Sequence, residues 1–247
     1  MSRQTSASVI GALLCALFAG GAANAHQIWL EQDGKTASIY FGEFGENLRE
    51  ASPGLLDKFV APSATLVGAT ADADRKLTLN KSAGAFALSG RAAEGQTIVA
   101  EEANYPILEH KAGENVVRTL WTPAARLVNG SAAQQPRLTL DIVPTGKAGE
   151  FQVSYQGKPL AKTKVGAVAQ SGWAKEAYSN EHGLVTFAMP WKGTYVLEVH
   201  HNDKTGGERA GKAYNVASYV TTLSLVQPKG IAAVAAPAPA KPNPAQP

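Results

Sequence analysis

Cysteine is all but missing from this chain: one thiol, Cys15, stands in 247 residues, inside an apolar run near the start. Whatever folds beyond that run is held by its core, without disulfides, and thiolate metal sites and cysteine nucleophiles are excluded from it. Long apolar runs are scarce too. The stretch from Val9 to Ala19 is about half of the ~20 residues that span a bilayer, which argues against a retained membrane helix. Charge is sparse, at 17% of residues, with a formal net charge of +3. No basic run interleaved with aromatics occurs, so the footprint of a nucleic-acid binder is lacking. Catalytic signatures are lacking as well: there is no nucleophile elbow, no His-Glu-x-x-His and no phosphate-cradling glycine loop. The adjacent acids Glu101 and Glu102 would point two ways on a strand, a poor acid/base couple. These absences favour a non-enzymatic protein.

What is present is most legible at the two ends. Arg3 precedes the apolar run, which loosens into Gly20-Gly21-Ala22 and ends in Ala23-Asn24-Ala25. Small residues at the positions a signal peptidase reads predict a cleavable signal peptide over 1–25, export to the periplasm and a mature start at His26. Leu13-Leu14 before Cys15 lacks the small residue that precedes a lipidated cysteine. Removing the signal removes Arg3 and leaves a mature charge of +2. From Gln227 the chain reads QPKGIAAVAAPAPAKPNPAQP, with no aromatic residue. Such a segment buries too little apolar surface to offset its ordering entropy, so 227–247 is expected to be a disordered tail, a frayed end or a tether.

Between the ends, short apolar stretches alternate with Gly and Pro, the pattern of an all-β protein. Ile28 to Gln32 and Thr36 to Phe41 flank an Asp33-Gly34 turn, a hairpin signal. Further strand-like runs are Ala64–Gly68, Lys76–Asn80, Ala85–Ser89, Gln96–Glu101, Val116–Trp121 and Arg137–Val143. Pro53 to Phe59, with Ser52 as N-cap, is the one helix candidate. Pro144-Thr145-Gly146-Lys147 reads as a linker, dividing an N-terminal β domain over 26–145 from a C-terminal β-sandwich over 146–226. In the second half Phe151, Val153 and Tyr155 alternate, as do Val165, Ala167 and Ala169, and Tyr195, Leu197 and Val199. Ser218 to Val226 would close that sandwich.

Four stretches carry a family resemblance. His26-Gln27-Ile28-Trp29-Leu30-Glu31, directly after the cleavage site, resembles the opening of the periplasmic DUF4198 proteins. Leu138 to Pro144 resembles their strand ending in Val-Pro, Gly157 to Val165 their "GKPLAGAxV" segment, and Tyr219 to Leu225 their closing strand. The second half also resembles prealbumin-like or carboxypeptidase-regulatory-like sandwiches, with Asn180-Glu181-His182-Gly183 at their turn. The resemblance spans 26–226 and implies two Ig- or prealbumin-like β-sandwich domains. It further implies a periplasmic component of nickel or cobalt uptake, with a membrane metal transporter as a possible partner.

The residues themselves permit metal chemistry at few places. Cleavage after Ala25 would give His26 a free α-amine, which with Nδ1 can chelate one divalent transition metal: Ni, Co, Cu or Zn. The plainer alternative is a residue left by export that caps an edge strand. His200 and His201 are the partners considered for it. Period-two alternation turns His201 inward and His200 outward, and both reach one metal only if the strand bends near Asn202-Asp203. Asp203 could orient an imidazole from behind. His110 reads as an exposed loop residue and His182 as structural, while Glu43 and Glu46 could add oxygen ligands or merely solvate a glycine-rich loop. Trp29, Trp121, Trp173 and Trp191 could line a groove, though core packing explains them more simply. The leading expectation is a non-enzymatic periplasmic metal-binding protein; a copper chaperone or enzyme with an N-terminal histidine chelate and a metal-free envelope module are the alternatives.

Overall fold

The computed structural model describes residues 26–68 and 70–243. The expected signal peptide, 1–25 with Cys15, lies outside the described residues, as do 244–247. The alternation of the first half becomes β1 (Gln27–Gln32), β2 (Ala37–Glu43), β3 (Leu48–Arg49), β4 (Ser63–Val67) and β5 (Arg75–Leu77). They are followed by β6 (Leu79–Lys81), β7 (Phe86–Leu88), β8 (Thr97–Glu101), β9 (Leu108–Ala112) and the long β10 (Asn115–Val128). The second half supplies β11 (Leu140–Pro144), β12 (Glu150–Tyr155), β13 (Lys158–Pro159), β14 (Lys164–Ala169) and β15 (Ala174–Tyr178). After these come β16 (Leu184–Thr186), β17 (Gly193–Asp203), β18 (Gly207–Arg209), β19 (Lys212–Tyr214) and β20 (Val216–Gln227). The protein is all-β, as its composition implies.

One nine-stranded sheet runs through both halves in the order β15-β14-β17-β20-β10-β8-β4-β5, with β9 on β10. β20 is its keystone. It pairs antiparallel with β17 and parallel with β10, so the last strand of the chain joins the two halves. A sheet of β1-β2-β7-β6 with β3, and another of β11-β12-β13 with β16, cover it. The parity of side chains shows that they cover opposite faces. On β10, Ala125 and Leu127 enter the first core while Val128 enters the second; on β20, Val220 enters the first and Leu223 the second. Each core is a sandwich, and the two share a middle layer.

Three local expectations are corrected. Pro53 to Phe59 is a single 3-10 turn, Leu55–Lys58, and Ser52 bonds the Asp57 carboxylate instead of capping the turn's backbone. Pro144 to Lys147 is the bend of the β11–β12 hairpin, closed by the pair Pro144↔Phe151 and the bond from Thr145 N–H to the Glu150 carbonyl. That β11 strand therefore packs in the second core rather than ending the first half.

The Ala/Pro segment expected to be disordered instead follows the surface as far as Asn243. Ile231 N–H donates to the Pro190 carbonyl and Ala240 N–H to that of Asn47. The Val234 and Pro237 carbonyls accept side-chain amide hydrogens of Gln170 and Asn47. These anchors fall every third residue, the repeat of a polyproline II helix, and proline lowers the entropy that ordering would otherwise cost. Apolar burial was thus the wrong measure for this segment, which is held through its backbone.

A buried ion pair ties the shared sheet to the second covering sheet. Arg126 of β10 and Asp141 of β11 have no exposed side-chain surface, and Nη2 approaches Oδ2 to 2.5 Å. Asp141 also accepts the backbone N–H groups of Arg137, Leu138 and Ile142. Arg126→Met is expected to cost about 3–5 kcal/mol, because it leaves a buried carboxylate without its cation. Urea unfolding measures this, and a loss below about 1 kcal/mol would show the backbone donors to suffice.

Candidate functional site

The chemistry-bearing corner forms where β1 begins. β1 pairs with β2 in the register Gln27↔Gly42, and β3 returns on β2 with Glu43↔Leu48. Gly42 permits this tight return: its φ is +139°, and a Cβ there would lie 2.3 Å from the Leu48 carbonyl oxygen. Glu43 at the end of β2 and Glu50 just past β3 are thereby brought beside His26.

His26 Nε2 lies 2.6 Å from Glu50 Oε1, its ring sits 5.1 Å from that of Phe41, and Nδ1 lies 3.6 Å from Glu43 Oε1. Glu50 is wholly buried. Asn243 supplies its other hydrogen bonds, from the side-chain amide to Oε1 at 2.6 Å and from the backbone N–H to Oε2 at 3.1 Å. An ionised carboxylate only accepts, so the imidazole proton belongs on Nε2. The Asn243 Nδ2 atom also stands 3.3 Å from Nε2, but in that tautomer both are donors converging on one oxygen. Whenever the ring is neutral its lone pair is then on Nδ1, facing Glu43; protonated, the ring would donate from both nitrogens to the two carboxylates. Burial raises the Glu43 carboxyl above its ordinary range, Glu46, Glu198 and Glu50 push it the same way, and His26 opposes them.

The rest of the opening motif fastens this corner to the fold. Trp29 is fully buried, stacks on Tyr40 at 5.6 Å and packs with Phe44 and Val196. Its indole N–H donates to Glu31, which also accepts from Arg49, and the Arg49 guanidinium lies 4.0 Å above the Tyr40 ring. Trp29 and Trp121 are core residues, whereas Trp173 and Trp191 form an edge-to-face pair at 5.0 Å.

His200 and His201 cannot both join His26 at one point. β17 runs on without a bend to Asp203↔Ala217, which leaves the two rings on opposite faces of the sheet. His200 bonds Glu198 on its own strand, and the His201 ring packs at a tilt against Tyr155, their centroids 4.3 Å apart. Asp203 accepts the Tyr155 hydroxyl and the Thr205 N–H. The Thr205 backbone bond is the main reason the Asp203 carboxyl lies below its usual range. His110 is exposed, on β9 rather than in a loop, and His182 occupies an exposed turn where Asn180 Oδ1 accepts its N–H.

Among the described residues, no group of three or more His, Cys, Asp or Glu side chains could hold a metal ion. The candidate donors are two side chains, His26 Nδ1 and Glu43, beside the main chain of residue 26. Glu50 and Asn243 were not singled out in the sequence. Glu50 had a faint signal, as an acid following an arginine in a strand-like stretch; Asn243 had none.

Fold and corner together define an all-β protein that opens its first strand with a buried carboxylate–imidazole pair. The chain belongs to the family described as domain of unknown function DUF4198, which matches residues 23–203. No curated protein and no solved structure matches it. The matched region starts just before His26 and ends with β17, so it contains His26, Glu43 and Glu50.

Replacing Glu50 by Ala removes the acceptor shared by His26 and Asn243. We expect a destabilisation of about 1–3 kcal/mol, the cost of stranding buried donors. Urea unfolding tests this, and amide exchange at Asn243 should accelerate with it; neither change would mean that Glu50 does not organise this corner.

Proposed function

We propose that the protein is exported to the periplasm, where it binds a divalent transition-metal ion at His26 and serves the uptake or handling of that metal without being an enzyme. One observation carries the reading: the buried Glu50 occupies His26 Nε2 and leaves Nδ1 free, facing the Glu43 carboxylate. A carboxylate behind an imidazole is the arrangement that fixes tautomer and ring direction in metal-binding histidines. Nδ1 is also the nitrogen that can chelate together with the α-amine of the same residue. Cleavage after Ala25 would free that amine, giving two nitrogens and one carboxylate oxygen as donors. The metal is cargo here, and a membrane transporter is its natural recipient.

Nickel or cobalt follows from the resemblance to uptake components. Copper is the second reading, favoured by the chelate itself, since nitrogen donors of this kind bind Cu²⁺ most strongly among first-row divalent ions. At most one of His200 and His201 could face this site, since they lie on opposite sides of their sheet.

The test is calorimetric titration of the processed protein with Ni²⁺, Co²⁺, Cu²⁺ and Zn²⁺, beside a form carrying one extra residue before His26. We expect tight binding of one ion per chain that the extra residue weakens and His26→Ala abolishes. Glu50→Gln should weaken it roughly 10–100-fold, the range for groups that orient a bound imidazole. Binding that ignores the extra residue would remove the amine from the site. No tight binding of any of the four would overturn the metal reading and leave a metal-free envelope module.

A further inference from the structure

The two ends of the described chain meet on one carboxylate. Every side-chain hydrogen bond of the buried Glu50 comes from His26 or Asn243. Among the described residues no lysine or arginine is bonded to it. A buried carboxylate is costly unless it is paired, so each of its partners matters.

Asn243 arrives there as the last anchor of a regular series. Ile231 lies alongside Trp191, Val234 meets Gln170, Pro237 meets Asn47, and Ala240 lies alongside Leu48. The spacing of three residues sets one edge of the segment against the protein throughout. Asn47, which receives two of these contacts, is itself held in a left-handed conformation with φ of 50° at the end of the 3-10 turn Phe44–Glu46. The segment thus tracks from the end of β20, past the edge of the second sandwich, to the mouth of the first.

We infer that residues 228–243 form a strap whose purpose is to deliver Asn243 to Glu50, making Asn243 a positioning residue for His26. Its two donors hold both carboxylate oxygens, one each, and so fix the plane of the carboxylate. That plane aims Oε1 at Nε2, which in turn keeps the Nδ1 lone pair directed at Glu43. The strap also covers the Glu50 side of the imidazole, leaving the Nδ1 side as the way in. In its metal arm this inference rests on the proposed role of His26; in its structural arm it does not.

The experiment uses the full-length processed chain with Asn243→Ala, which spares the anchors at Val234, Pro237 and Ala240. The ¹⁵N shifts of the His26 ring report the tautomer without any metal. The native chain should show the Nε2–H form, and the variant should move toward a mixture of both forms. Affinity for Ni²⁺ or Cu²⁺ should fall about tenfold, the lower end of the range for outer partners of a bound imidazole. A chain ending at Gln227, which loses both donors where Asn243→Ala loses only the side-chain amide, should shift at least as far, and a peptide of residues 228–247 added in trans should restore the tautomer, which a general folding defect would not allow. An unchanged tautomer in Asn243→Ala overturns the inference whatever the metal does. A shifted tautomer in a protein whose native form binds no metal upholds the strap and removes the metal reading instead.

Discussion

A strand with no solvent face governs this structure. From Val220 to Ser224 every residue of β20 is buried, because one sandwich lies on each side of it. Buried polar groups must be bonded, and adjacent threonines point in opposite directions on a strand. Thr221 accordingly donates to the Leu140 carbonyl of β11, and Thr222 to the Ile28 carbonyl of β1, each at 2.7 Å. Two neighbouring hydroxyls therefore fasten the covering sheets to the shared layer. The corner at His26 depends on this directly, since Ile28 is only two residues along β1. A register slip of one residue in β20 would exchange the faces, strand both hydroxyls and release β1.

The buried acids show how the chain handles charge where it cannot be hydrated. Asp141 has an arginine and three backbone donors. Glu102 has no cation but accepts the N–H groups of Ala61 and Asn104. Glu50 differs from both, in that its donors are a titratable ring and a residue of the C-terminal segment. Asp141 and Glu102 are satisfied by groups close to them in space for reasons of fold alone. Glu50 is satisfied by groups from the two ends of the described chain, His26 and Asn243. That contrast separates a structural acid from one suited to a site.

Much of the fold was legible because period-two alternation is a direct statement about which face is buried. Tyr195, Leu197 and Val199 announce the second core, and parity alone already sets His200 and His201 on opposite faces. The double burial of β20 was not legible: Thr221, Thr222 and Ser224 are residue types common at the surface, yet all three are buried, and Thr221 and Thr222 each donate to a carbonyl of a covering sheet. Pro144-Thr145-Gly146-Lys147 carries the signal of a turn, and a turn inside a hairpin has the same composition as a linker. The strap carries its information at a period of three, which neither the strand nor the helix template reads. Of the candidate site, His26 and Glu43 could be found as donor types. Glu50 and Asn243 could not, since their partners lie 24 and 193 residues away from Glu50.

The distance in sequence has a physical consequence for how the corner comes to exist. Glu50 is desolvated only when β3 has returned on β2, β1 has docked on β20, and the segment after β20 has crossed to the first sandwich. The last two are long-range contacts, and loop-closure entropy is met before such a contact returns anything. Buried without its partners, the carboxylate would oppose this docking; with them it favours it, so the pairings at His26 and Asn243 reinforce each other. The imidazole therefore acquires a fixed tautomer as a property of the assembled chain rather than of any local motif. A peptide carrying His26 to Glu50 alone would contain every proposed side-chain donor and still lack the Asn243 contacts that hold the Glu50 carboxylate.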